Sequence, residues 1–322
     1  MKLKSYICTL LAGMACIGLF GSCEDMLEPD SKYVIYDDGN GHLNSQADKA
    51  TSLVGIIYQL AAIGDRTNLL GEVRGDLVSL TSAAHSDLLE LANFEVSDEN
   101  RYNNPRDYYA IINNCNYYIA NADENLKDVS GQSIFAEEIA QVRAIRAWTY
   151  LQLVLNYGKV PFYDQPILTE QDAALVGTEL GDRWDLEAIC DYFIEDLTPY
   201  VMTRFPQLNV VGSINMSQCA FPVYVVLGDL YLWKASLTGN RSYYREAAKC
   251  YFNWIADTRD GDKSRYVVDP YDRAYWELYT TSVGNTFFSN LPTGTDSPLY
   301  VRNVTIIPMD SAAAQGYFSE VR

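Results

Sequence analysis

The longest regular stretch of the chain is an uninterrupted helical pattern over residues 134–157. From residue 135 it reads FAEEIAQVRAIRAWTYLQLVLNY, and apolar residues recur every three or four positions without a glycine or proline. Gly158 follows directly and Pro161 comes shortly after, which is typical of a helix that ends in an extended exit. A helix of this length predicts a mostly α fold, because its apolar positions must be covered by other helices.

Five further helical patterns flank this stretch. They begin at Ser45 and after Pro105, and they cover about 184–203, 218–237 and 243–257. Segment 71–95 mixes turns with a short helix, and 163–181 is expected to be a loop. From about 258 the chain is loop-rich, with one strand-like run from Leu299 to Pro308. Three tryptophans inside helical patterns are expected in the core: Trp148, Trp233 and Trp254.

Two of these helices carry a tetratricopeptide-like spacing. The first helix of the unit would hold Tyr224, Leu227, Gly228 and Tyr231, and the second would hold Ala247, Tyr251 and Trp254. The gap between them, Ser236–Tyr243, is about seven residues longer than the motif's norm. A second, more widely separated pair consists of Ala147 and Tyr150 with Ala188 and Tyr192. An unrelated pair of amphipathic helices remains an alternative explanation of this spacing.

The first 45 residues are typical of a secreted lipoprotein. Lys2 and Lys4 precede an apolar run that ends at Phe20, and Gly21-Ser22 stands directly before Cys23. We therefore predict a lipoprotein signal peptide over 1–22, lipidation of Cys23 and a polar tether over 23–45. An ordinary signal peptide with an incidental cysteine is the alternative. The acidic pair Glu24-Asp25 resembles a surface-export signal and equally suits a solvated tether.

The net charge and the few histidines argue against several classes of function. The formal net charge of −18 argues against nucleic acid, anionic lipid surfaces and acidic polysaccharides as partners. His42 and His85 have no partner at metal-ligand spacing, so we predict no metal, no cofactor and no catalytic residue. The four cysteines after Cys23 are expected to be buried free thiols, although a disulfide is possible in this compartment: Cys115, Cys190, Cys219 and Cys250.

Region 138–161 resembles the most recognisable stretch of the RagB/SusD family of outer-membrane lipoproteins. The matching residues are Glu138-Ile139, Arg143-Ala144, Arg146 to Val154 and Tyr157 to Pro161. Weaker pieces follow in the family's order: Glu72 to Asp76, the helix with Tyr108, Ile111 and Asn114, Glu195 to Leu197, and Gly228 to Leu232. The resemblance runs from Cys23 to Arg322, where family members usually continue. A short or C-terminally truncated member is therefore expected.

This resemblance implies a SusD-like fold over 46–322, with tetratricopeptide-type helix pairs, loop-rich insertions and a small strand-containing region. It also implies a palmitate-bearing lipoprotein of the cell outer membrane, working in nutrient uptake with a SusC-like TonB-dependent transporter. The family binds carbohydrate or another nutrient and is not catalytic. A helical-repeat scaffold for a peptide or protein is the alternative. A glycoside hydrolase is disfavoured, because no segment carries a glycosidase signature.

Glycan binding needs exposed aromatic faces beside amide, carboxylate or guanidinium groups. The polar loop 98–104 offers Tyr102, Asn103 and Asn104, and the resemblance places Arg74 and Asp76 close to it. The second candidate is segment 260–290, with Tyr275 and Trp276. Plain turn chemistry also explains the loop. The spacing of Tyr275 and Trp276 from Tyr271 and Tyr279 also suits a helix core, so both alternatives stay open.

Overall fold

The computed structural model describes residues 43, 46–75, 79–123, 125–178, 183–208, 210–211, 214–256, 305 and 307. This part of the chain is mostly α-helical, as predicted. Its helices are α1 (Gln46–Gln59), α2 (Ala61–Glu72), α3 (Ser86–Asn93), α4 (Arg106–Asn121), α5 (Ala136–Tyr157), α6 (Glu170–Thr178), α7 (Leu186–Leu197), α8 (Val223–Thr238) and α9 (Arg241–Ala256).

The strands in the described residues are short ribbons between helices. Strand β1 (Val160–Pro161) pairs antiparallel with β2 (Arg183–Trp184). Strand β3 (Val210–Val211) pairs antiparallel with β4 (Ile214–Asn215). The predicted strand-like run from Leu299 to Pro308 lies outside the described residues, apart from Thr305 and Ile307, which are not in a strand.

Glycine and proline set several of the helix boundaries. Helix α5 ends at Tyr157 as predicted, and Gly158 takes a φ of 73°, which an L side chain rarely adopts. Helix α7 ends at Leu197, earlier than predicted, and a 3₁₀ turn containing Pro199 follows. Helix α8 begins after Pro222, later than predicted, because proline suits the start of a helix.

The predicted loop 163–181 was wrong in one respect, because it contains helix α6. Thr169 and Asp172 form reciprocal hydrogen bonds at its start. The Asp172 N–H donates to Thr169 Oγ1 at 3.1 Å, and the Thr169 N–H donates to Asp172 Oδ2 at 3.1 Å. This is the capping-box arrangement, which satisfies two N–H groups at a helix start. The pattern Thr-x-x-Asp was the signal that pointed to this helix.

Helix α5 lies at the centre of the main hydrophobic core and is buried along almost its whole length. Its neighbours contribute large, fully buried side chains, which include Tyr108, Tyr118, Phe193 and Phe221. Of the three tryptophans expected in the core, Trp254 is buried and Trp148 is half-buried against the core. Trp233 is 40% exposed, so its core assignment was wrong. The helical pattern around Trp233 did not show which side of α8 other elements would cover.

The tetratricopeptide-like spacing corresponds to a real helix pair. Helices α8 and α9 pack together, and a Cβ added at Gly228 would lie 2.6 Å from the Tyr251 ring. Glycine is therefore required at this crossing, because any side chain would overlap the aromatic ring. The connection is Gly239-Asn240 only, so most of the long Ser236–Tyr243 gap is additional helix. No helix among the described residues has the length and apolar character needed to cross a membrane.

Residues of the 138–161 motif hold the helices together through buried ionic contacts. Arg143 and Arg146 on α5 both pair with Asp196 on α7, and Arg146 also donates to Asn116 Oδ1 on α4 at 2.9 Å. At the other end of α5, the Glu138 carboxylate lies 3.0 Å from Lys49 Nζ on α1. These charged residues stabilise the packing of the helices. Removal of one partner of such a pair would leave the other charge uncompensated in a buried position.

The four cysteines are buried free thiols, as predicted. Burial raises the pKa of Cys115, Cys190 and Cys219 to about 12, and that of Cys250 to about 11. These thiols are therefore protonated and unreactive at neutral pH.

Candidate ligand-binding site

The loop 94–104, which connects α3 to the Pro105 cap of α4, is held by one carboxylate. Glu90 Oε2 accepts from the Ser97 N–H at 3.0 Å, from Ser97 Oγ at 2.8 Å and from Asn100 Nδ2 at 2.9 Å. These bonds, the one from Asn100 foremost, lower the pKa of Glu90. The loop is therefore fixed by an ionised side chain that accepts three hydrogen bonds.

Asn100 forms the inner support of the same loop and is buried. Besides its bond to Glu90, its Nδ2 donates to the Asp87 carbonyl at 3.0 Å. Its Oδ1 accepts from the Tyr102 N–H at 2.9 Å. Both ends of the amide are thus used to hold backbone, which gives the loop a defined shape before any ligand arrives.

Tyr102 does not present an open ring face for stacking, contrary to the sequence-based expectation. It is 6% exposed and packs in a second, smaller hydrophobic cluster with Leu69, Leu70, Val73 and Leu91. The Arg101 guanidinium carbon lies 4.9 Å from the centre of the Tyr102 ring. The apolar body of tyrosine is buried more favourably beneath the loop than exposed to water.

The end of α5 anchors the second half of the loop. Tyr157 Oη donates to the Tyr102 carbonyl at 2.7 Å. Arg66 on α2 donates to the Asn104 carbonyl at 2.7 Å and pairs with Asp107 at 2.5 Å. Backbone carbonyls of the loop are therefore held from both α2 and α5, and both Asn103 and Asn104 have exposed side chains.

Arg74 lies at the same end of α5 as this loop. It donates to the Leu70 carbonyl, and its Nη2 donates to Asn156 Oδ1 on α5 at 3.0 Å. Asn156 is adjacent to Tyr157, which holds the loop. Arg74, Tyr102, Asn103 and Asn104 are therefore gathered around the end of α5. The other predicted site residues lie outside the described residues: Cys23, Asp76, Tyr275 and Trp276.

Phe94 is the exposed aromatic of this loop, and the sequence analysis missed it. It ends α3 with a φ of 59°, and its side chain is 72% exposed. Among the described residues it is the non-glycine residue with positive φ. A bulky side chain is an outlier in this left-handed region, which glycine or asparagine usually occupies. An aromatic directly before a polar loop was the available sequence signal.

The exposed side chains of the loop are polar and charged groups around one aromatic ring. Besides Phe94 they include Glu95, Asp98, Glu99, Arg101, Asn103 and Asn104. In the described part of the chain, the carboxyl group whose pKa is raised is Asp229, through burial, and it accepts a hydrogen bond from Tyr251 in the α8–α9 pair. No cluster of metal-binding side chains occurs among the described residues. The loop offers one stacking surface with amide and charged groups around it.

Comparisons with known proteins agree with the predicted resemblance. SusD-like protein P25 of Formosa agariphila is 24% identical over 216 residues, which cover 61% of this chain and 37% of that protein. B. fragilis NanU is similar in structure, with a TM-score of 0.54 and 20% identity over 71% of this chain and 44% of that chain. No protein-family model matches the chain.

A SusD superfamily protein from Parabacteroides distasonis aligns over 66% of this chain and 45% of its own, at 24% identity and a TM-score of 0.47. The similarity to NanU, with the higher TM-score, supports the fold. The chain spans less than half the length of each of these three proteins.

Proposed function

We propose that this chain, which is SusD-like in sequence and in fold, binds a neutral oligosaccharide at the loop 94–104 and does not cleave it. The observation that carries the proposal is Phe94, an aromatic side chain held in an unfavourable backbone conformation and exposed to solvent. Backbone strain of this kind persists where the surrounding structure enforces it, and it is concentrated at ligand-binding positions.

The chemistry of the loop fits a sugar ring. The face of the Phe94 ring can stack on the apolar face of a sugar. Asn103 Nδ2 donates to the Ser97 carbonyl at 3.3 Å, and Asn104 Oδ1 accepts from the Arg106 N–H at 2.9 Å. The opposite ends of the two amides, Asn103 Oδ1 and Asn104 Nδ2, can exchange hydrogen bonds with sugar hydroxyl groups. Because Glu90 and Asn100 already fix the loop, little conformational entropy would be lost on binding. Arg74, Asp76, Tyr275 and Trp276 remain proposed contributors to the same ligand.

The charge distribution favours a neutral ligand and no turnover. Glu95, Asp98 and Glu99 lie exposed in the loop, in a chain of net charge −18, and would repel a polyanion. A glycosidase needs one carboxyl with a raised pKa as a proton donor. Glu90 has the opposite shift, because three hydrogen bonds stabilise its ionised form.

Localisation and partner form the second part of the proposal. We propose that residues 1–22 are a signal peptide and that Cys23 bears the lipid that anchors the protein on the cell surface. Residues 46–322 would form a nutrient-binding domain that delivers its ligand to a SusC-like transporter. The sequence around Cys23 supports the anchor, and the similarity to SusD-like proteins supports the transporter. Cys23→Ala should abolish lipid labelling and release the protein from membranes. Retention on membranes after this change would contradict the anchor.

The binding proposal is tested with purified protein and a panel of neutral and acidic glycans, with peptides as controls. We expect calorimetric binding to a neutral oligosaccharide, weakened by Asn104→Ala and unchanged by Val129→Ala, which alters an exposed position elsewhere. No reducing ends should appear on incubation. Release of reducing ends, or tight binding to a peptide with none to glycans, would contradict the proposal.

A further inference from the structure

Asn104 is held by hydrogen bonds at two of its atoms. Its backbone carbonyl accepts from Arg66 Nη1 at 2.7 Å. Its side-chain Oδ1 accepts from the Arg106 N–H at the start of α4, at 2.9 Å. Pro105 follows directly, and the residue before a proline is restricted to extended backbone. The planar amide of Asn104 is thus fixed at Oδ1, and Nδ2 is the end that a ligand can use.

Arg66 reaches this carbonyl from α2, and its guanidinium is itself held in place. Its Nη2 donates to Asp107 Oδ2 on α4 at 2.5 Å, and the arginine side chain is only 15% exposed. The guanidinium carbon lies 5.9 Å from the centre of the buried Tyr108 ring. Because a guanidinium presents its N–H groups in a rigid planar fork, one side chain bridges the Asn104 carbonyl and the Asp107 carboxylate.

Tyr157 does not duplicate the contact that Arg66 makes with this carbonyl. A tyrosine hydroxyl has a single hydrogen to donate. The Tyr157 hydroxyl lies 2.7 Å from the Tyr102 carbonyl oxygen and 3.4 Å from that of Asn104, so its hydrogen bond goes to Tyr102. The first half of the loop is held separately by Glu90. Arg66 therefore acts on the second half of the loop, where Asn104 joins it to α4.

We propose that Arg66 is a positioning residue of the loop site, an inference that rests on the proposed glycan function. Arg66 holds the Asn104 carbonyl and thereby sets the direction in which Asn104 Nδ2 donates, without touching the ligand itself. The ligand atom that faces Nδ2 is an acceptor, such as a sugar hydroxyl or ring oxygen. Arg66 raises the affinity because the donor is already ordered in the free protein, so less entropy is lost on binding.

Residue-resolved hydrogen–deuterium exchange of the free protein tests the hold on the loop. Two backbone amides are compared: that of Arg106, bonded to Asn104 Oδ1, and that of Ser97, bonded to a carboxylate of α3. In Arg66→Gln we expect exchange at Arg106 to rise by about fivefold, the effect of one lost hydrogen bond, and exchange at Ser97 to stay unchanged. Arg245→Gln, on the exposed face of α9, is the control and should alter neither amide. Unchanged exchange at Arg106, or an equal rise at Ser97, would overturn the proposal.

A double-mutant cycle on the affinity tests whether Arg66 acts through Asn104. The calorimetric probe is whichever of xylohexaose, mannohexaose and cellohexaose binds the parent protein most tightly. Arg66→Gln should weaken binding by about fivefold, the net effect of one hydrogen bond. In an Asn104→Ala background the same change should weaken it by less than about twofold, because the donor that Arg66 orients is already absent. A residue that only stabilises the fold would keep its full effect there, and that result would overturn the proposal.

Arg66→Lys separates geometry from charge. Lysine keeps the positive charge and lacks the planar fork, so we expect an affinity closer to that of Arg66→Gln than to that of the parent. Recovery of the parental affinity with lysine would show that the charge suffices and would overturn the proposal.

Far-UV circular dichroism verifies that each variant is folded. Asp107→Asn, which loosens the guanidinium and leaves Arg66 in place, replaces a variant that is not folded, and it should show smaller effects in the same direction. A parent protein that binds none of the three probes would contradict the proposed function. Exchange at Arg106 would in that case still decide whether Arg66 holds Asn104, because that measurement needs no glycan.

Discussion

Helix α5 and the loop 94–104 touch through Tyr157, yet they are built by opposite means. The helix is buried along almost its whole length, and its charged groups, such as Arg146, are paired inside the core. The loop keeps its charged and amide side chains exposed and uses Glu90 and Asn100 to hold its backbone. The recognisable 138–161 motif therefore maintains the fold, while the residues that suit a ligand lie outside that motif.

The largest effect should come from the shared carboxylate of the core. Asp196→Ala leaves Arg143 and Arg146 without their common partner, and we expect the free energy of unfolding to fall by about 3–5 kcal/mol. Asp98→Ala, in the exposed loop, is the matched control and should change it by less than about 0.5 kcal/mol. Urea denaturation measures both. Equal effects would show that the two regions do not differ in this way.

A smaller loss is expected at the α8–α9 crossing. Gly228→Leu adds a side chain whose Cβ would lie 2.6 Å from the Tyr251 ring, and overpacking typically costs about 1–3 kcal/mol. Gly55→Leu on α1 is the control, because no atom lies within 4 Å of its added Cβ. That control should be neutral or stabilising, since leucine favours a helix more than glycine does. An unchanged melting temperature for Gly228→Leu would refute the close crossing.

Phe94→Asn should separate stability from binding. Asparagine tolerates the left-handed conformation, so we expect the variant to be more stable by about 1 kcal/mol. Loss of the ring should at the same time weaken glycan binding by about tenfold, the loss of one stacking contact. Thermal denaturation and calorimetry report the two quantities. A variant that loses stability and keeps its affinity would contradict the assigned role of Phe94.

The smallest effect concerns pH and the buried carboxyl of α8. Burial raises the pKa of Asp229 in the folded state. Its contribution to stability is therefore fully present below its unfolded pKa and is lost as the pH rises through the folded value. Asp229→Asn should remove this dependence while its side-chain oxygen still accepts from Tyr251. The variant's advantage over the parent should increase with pH. A constant difference across the titration would contradict the shift.

Periodic burial explains which features could be predicted from the sequence. In helix α5 and at the α8–α9 crossing around Gly228, apolar and small residues recur at helical spacing. Both features could therefore be recognised in the sequence. Trp233 was misplaced because periodicity shows that a helix has two faces and does not show which neighbours cover them. Tyr102 and Phe94 were not distinguished, because which aromatic of a loop is buried depends on contacts with α2 and α3 that are distant in sequence.

Hydrogen–deuterium exchange with and without a saturating neutral oligosaccharide tests the central division between fold and site. We expect added protection in peptides that cover residues 94–104, and none in peptides that cover residues 136–157, which are already buried. Phe94→Asn should remove that protection at the same glycan concentration. Protection that leaves residues 94–104 unchanged while another region is shielded would contradict the account.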